Sequence, residues 1–129
     1  MKRTKQHKFA KKMFDRWITR LGLRWWDGTV NYIDHKKTLK RVFGKKKWRT
    51  VAANARADWR YGKAWIEVNL RVINAMEKSE IEEAVVHELV HVLVNEMREG
   101  EIHHEERVVT QLTKGIFWTV DDVKKKKGK

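Results

Sequence analysis

Cysteine and proline are both absent from this chain, and no run of about eighteen apolar residues occurs in it. Without cysteine there is no disulfide framework, no thiol nucleophile and no thiolate metal site, so a metal must be held by His, Asp or Glu. The missing apolar run excludes a membrane-spanning helix. The first twenty residues are basic but hold no apolar stretch long enough for a secretory signal, so the expected location is the cytoplasm. Acidic charge is also scarce: 17 Asp and Glu stand against 30 Lys and Arg, a formal net charge of +13. With 129 residues, 41% of them apolar, the chain has one core's worth of material and excludes a two-domain enzyme. The expected organisation is a single domain over residues 1–123 and a basic, disordered tail over 124–129.

The charge is unevenly distributed. Residues 2–16 carry seven Lys or Arg against Asp15 alone, and residues 36–49 carry eight against no acid. The tail from Lys124 adds five more, whereas residues 77–106 hold ten acids and only Lys78 and Arg98. A basic shell thus surrounds an acidic centre, and such a shell suits a polyanion, DNA or RNA, held by salt-sensitive phosphate contacts. Of the seven tryptophans, most are expected to pack in the core.

Residues 8–21 place Phe9, Met13, Trp17 and Leu21 four apart, which predicts an amphipathic helix ending at Gly22. Short β-type pieces follow at 29–34, 38–44 and 49–58, and residues 64–73 alternate as a strand should. Ser79 and Glu82 read as a capping box opening a helix over 80–98, apolar at Ile81, Val85, Val86, Leu89, Val90, Leu93 and Val94 and stopped by Gly100. A last helix is expected over 104–118, with Val108, Val109, Leu112, Ile116 and Phe117 inward and Trp118 packed in the core. The fold class is therefore α+β: an N-terminal helix, a small mixed or antiparallel sheet and two packed C-terminal helices.

The chemistry sits in the middle of the buried helix, in His87-Glu88-Leu89-Val90-His91. A spacing of four puts both imidazoles on one helical face, where they can grip a single divalent ion. Glu88 lies about 100° around the helix and can reach a water held there. Left unpaired in an apolar helix, these groups would cost several kcal/mol, which favours a metal. A catalytic zinc takes a third protein ligand, and the candidates lie past Gly100 at His103, His104, Glu105 and Glu106, on a helix that would fold back onto the first.

The HELVH element is the zincin signature, and the chain resembles the gluzincins, particularly compact phage and mobile-element zinc peptidases and domains of the ImmA/IrrE type. That resemblance implies a compact zincin-like domain and, as third ligand, a glutamate followed by apolar residues three and six positions on. Glu106, with Val109 and Leu112, matches; Glu105 fits this register less well. The strand at 64–73 would correspond to the zincins' substrate-side edge strand. The chain also resembles the SprT-like group of DNA-associated metalloproteases, in which a third histidine after a similar gap would make His103 or His104 the ligand; the glycine usual after that histidine is replaced by Glu105. Either resemblance implies a zinc-dependent peptidase acting on a protein or peptide in the cytoplasm, that of the host if the chain is phage-encoded. Glu88 would be the general base and His87, His91 and Glu106 the zinc ligands. The alternative is a nucleic-acid-binding protein whose zinc site is structural or inactive.

Overall fold

The computed structural model describes residues 4–24, 27–58, 62–95 and 105–127. The first helix, α1 (Lys5–Arg20), is capped by Thr4, whose hydroxyl oxygen accepts the His7 N–H at 3.0 Å. Its apolar stripe buries Ala10, Met13, Phe14 and Trp17. Three strands follow among the helices: β1 (Asp27–Ile33), β2 (Ala53–Asp58) and β3 (Lys63–Asn69), in the order β1-β3-β2. β1 runs parallel to β3 with Val30 beside Ile66, and β2 runs antiparallel with Ala55 beside Ile66, so the sheet is mixed.

The strand at 63–69 is thus central, and the expectation that it forms the substrate-side edge is corrected. β2 is the edge strand against the HELVH helix, and that helix packs on it. The strand is also shorter than its alternation suggested. Asn69, fully buried, ends it by accepting the Arg71 and Val72 N–H groups, which opens the short helix α3 (Leu70–Ile73). The same side chain donates its amide to the Trp48 and Val51 carbonyls, so one asparagine ties the strand end to the preceding loop.

Residues 38–44, read as β, form a helix instead, α2 (Lys36–Phe43). Thr38, Val42 and Phe43 have β propensity, but Leu39, Val42 and Phe43 sit at i, i+3 and i+4, and Leu39 is fully buried. Packing of that stripe overrides propensity. Gly44 ends the helix at φ 94°, a backbone state that side-chain-bearing residues rarely adopt.

The long buried helix, α4 (Lys78–Asn95), starts within two residues of expectation, but its cap differs. The Glu80 carboxylate accepts the Glu77 N–H at 3.0 Å, while Glu82, assigned to a capping box with Ser79, accepts the Trp17 indole N–H at 2.8 Å. Glu82 thereby joins α4 to α1. Ile81, Val85, Val86, Leu89, Val90 and Val92 are buried against α1 and the inner face of the sheet, each side chain contributing about 1.5–3 kcal/mol of hydrophobic stabilisation. The expected stop at Gly100 lies outside the described residues.

The last helix, α5 (Glu105–Lys127), packs on α4 and runs on past Trp118. Val109 and Thr113 are fully buried, and Ile116 and Phe117 lean on the core, with the Phe117 ring 5.8 Å from that of Trp17. Val108 and Leu112, expected inward, are 40% and 45% exposed, and Trp118, expected in the core, is 80% exposed. The helix touches α4 along a narrow 109/113/116 line, and 108, 112 and 118 fall on its flank. Of the described tryptophans, Trp17 and Trp48 are buried. Among the described residues no helix is long and apolar enough to cross a membrane.

Candidate metal centre

α4 carries His87 and His91 one turn apart, with ring centroids 5.1 Å from each other. Both are partly buried, with 25% and 15% of their side-chain surfaces exposed. The first turn of α5 faces them, because Val109 and Thr113 hold that helix against α4. The Glu106 carboxylate bridges the two rings: Oε1 lies 2.7 Å from His87 Nε2 and Oε2 lies 3.0 Å from His91 Nε2. Two imidazole nitrogens and a carboxylate this close need positive charge between them, either protons on the rings or one shared ion. The ligand atoms of His87, His91 and Glu106 all lie within 4.8 Å of one another, so the group can hold a metal ion. Two imidazole nitrogens and one carboxylate oxygen are a donor set of the kind that binds zinc.

Glu105 occupies a different place from Glu106. Its Oε2 lies 2.7 Å from His91 Nδ1, the ring nitrogen that faces away from Glu106. A carboxylate there favours a proton on Nδ1, fixes the ring orientation and leaves the Nε2 lone pair toward the centre. The sequence offered Glu105 as a rival ligand; the signal for an orienting role was its place four residues before the buried Val109, on the inward line of α5. Replacing Glu105 with Ala is expected to weaken zinc affinity by roughly 10- to 100-fold without abolishing it. Titration against a competing chelator measures this, and unchanged affinity would remove Glu105 from the centre.

Glu88 is buried beside the pair, at 8% exposure. Burial pushes its carboxyl up from 4.5 to about 7; the His91 ring pulls it down and the Glu106 carboxylate adds to the rise. In metal-free protein the folded state therefore favours the neutral carboxyl. That contribution is fully present below about pH 4.5 and is lost as pH rises through about 7, a swing of about 3 kcal/mol. Thermal unfolding of chelator-treated protein should accordingly show wild type losing stability relative to Glu88→Gln across this interval. Parallel curves would mean that the carboxyl is not held neutral.

A cleft opens beside His87 and Glu88, walled by Ala52, Ala53 and Met76 on one side and by Glu80, Glu83 and Ala84 of α4 on the other. The start of β2 thus borders the site, which the sequence did not indicate. His103 and His104 lie outside the described residues.

Compared with known families, residues 5–113 match the SprT-like family model. This is the second of the two resemblances drawn from the sequence, not the gluzincin one. No curated protein and no solved structure matches the chain significantly.

Proposed function

This chain belongs to the SprT-like family, and from that premise we propose that it is a zinc-dependent metallopeptidase with His87 and His91 as metal ligands and Glu88 as general base; for the third ligand the contacts of Glu106 with both rings, rather than the family, favour it over His103 or His104. The observation that carries this reading is the Glu106 carboxylate lying between the Nε2 atoms of two histidines one turn apart, with a buried carboxyl on the next residue of the same helix. The ion, when bound, supplies a Lewis acid that polarises a peptide carbonyl and acidifies a water molecule. Glu88 does the proton work. Buried beside His87 and His91, its carboxylate can accept a proton from the attacking water and deliver it to the leaving amine. His91 is kept in a single orientation by Glu105, and Glu106 crosses from α5 to complete the centre.

The substrate would lie along β2. That strand pairs with β3 on one side, and an extended peptide can add to its other side through main-chain hydrogen bonds, entering the cleft at Ala52 and Ala53 beside His87 and Glu88. An unstructured protein segment fits this arrangement better than a compact one, because only an extended backbone can pair with a strand edge.

Hydrolysis of an unfolded protein such as reduced casein tests the proposal. Zinc-loaded protein should cleave it, chelation should stop cleavage, and added zinc should restore it. Metal-loaded, folded protein that cleaves no extended substrate would contradict the reading.

A further inference from the structure

α5 spends one side on the fold and leaves the other bare. Val109, Thr113 and Ile116 turn toward α4 and the core. Among the described residues, the large apolar side chains that stay exposed are Val108, Leu112 and Trp118, and all three lie on this one helix. At about 100° per residue they share an arc of about 160° with Arg107, Gln111 and Lys114, which are exposed as well. The arc is graded. Lys114 and Arg107 stand at one margin, Trp118 comes next, and Val108 and Leu112 form the other margin. A Cβ added at Gly115, between the indole and the aliphatic pair, would meet nothing, so the middle of the face is open. Residues 107–119 contain no acid. Beyond Asp121 and Asp122 the helix ends in the four lysines 124–127.

We propose that this face of α5 attaches the protein to the surface of an anionic phospholipid bilayer. Arg107 and Lys114 meet the charged headgroups, the Trp118 indole sits at the boundary, and Val108 and Leu112 reach the upper acyl chains. A protein partner fits less well. A stable protein interface buries about 800 Å² on each side around a desolvated core. Three apolar side chains along about 15 Å of one convex helix offer only a fraction of that. A second copy of this chain would set Arg107 and Lys114 against their own like, in a molecule whose net charge is +13. A bilayer asks for less, because shallow insertion and charge attraction are two weak signals that add. Attachment also leaves the metal centre assembled: Glu105 and Glu106 face the two histidines of α4, and Val109 and Thr113 keep the helix docked there. Binding is therefore independent of zinc and of hydrolysis.

Co-sedimentation of the full chain with phosphatidylcholine vesicles holding about 30% phosphatidylserine tests this, with pure phosphatidylcholine vesicles alongside. Wild type is expected to bind the anionic vesicles at least about tenfold more tightly than the neutral ones. The triple variant Val108→Gln, Leu112→Gln, Trp118→Gln keeps every charge and should bind the anionic vesicles about tenfold more weakly than wild type. Thermal unfolding confirms that it folds. Equal binding by the triple variant would mean adsorption through net charge alone and would overturn the proposal. The single variant Trp118→Phe locates the contact, since it retains a ring and removes one fluorophore. Quenching of tryptophan emission by brominated acyl chains should be smaller in this variant than in wild type; unchanged quenching would place some other part of the protein in the bilayer and overturn the assignment. Sedimentation velocity without lipid is the last arm. A wild-type dimer that the triple variant abolishes would overturn the proposal in favour of a second copy on this face.

Discussion

Peptide hydrolysis by Glu88→Gln is expected to fall by roughly 10²- to 10⁴-fold while zinc stays bound, because the substitution removes the proton carrier and keeps the ligands. Glutamine is nearly isosteric, so the buried position beside His87 and His91 stays filled, and the amide cannot titrate. In metal-free protein the fold should tolerate the change well at neutral pH, since the wild-type carboxyl is itself held partly neutral there at a pKa of about 7. Loss of activity in a folded, metal-loaded variant therefore reports on proton transfer alone. A protein that uses its metal only for structure would be indifferent to this substitution. The comparison thus separates a peptidase from a nucleic-acid-binding module with a structural zinc.

His87→Ala and His91→Ala are each expected to leave the protein without zinc under conditions that load the wild type fully. Each removes one of two imidazoles that must act on the same ion, and the remaining histidine with one carboxylate is a poor chelate. The loss should exceed the roughly 10- to 100-fold expected for Glu105, which touches only the far side of a ligand. His91→Ala carries an added cost: the Glu105 carboxylate, 23% exposed, loses the ring nitrogen it faces at 2.7 Å. Glu106→Ala should behave like the histidine variants. His103→Ala and His104→Ala, prepared alongside, should retain zinc; loss of metal in one of these and not in Glu106→Ala would move the third ligand to that histidine. Metal content per folded chain is the measurement in every case.

The centre was legible because it depends on helical periodicity. His87 and His91 are separated by one turn, and no packing detail can take them off a common face once the helix exists. The helix was itself secured by a long apolar stripe, which the structure buries from Ile81 to Val94. What the sequence did not show was the relation between elements that are distant along the chain. The alternation at 64–69 marks a strand equally well at the centre or the edge of a sheet, so β3 was misplaced and the role of β2 beside the cleft was missed. Similarly, α5 carries apolar residues on two adjoining lines, and only its contact with α4 selects 109/113/116 over 108/112. That choice of rotation also decides that Glu105 faces Nδ1 of His91 while Glu106 reaches both Nε2 atoms. At α2, residues with β propensity concealed a helical stripe of only three apolar side chains, too short for periodicity to outweigh propensity.

The most direct test of the account is anomalous scattering at the zinc absorption edge from crystals of the zinc-loaded protein. One peak per chain is predicted, about 2.0–2.2 Å from Nε2 of His87, Nε2 of His91 and a carboxylate oxygen of Glu106. A peak that lacks either imidazole, or the absence of any peak between α4 and α5, would contradict the claim that these residues jointly hold the ion.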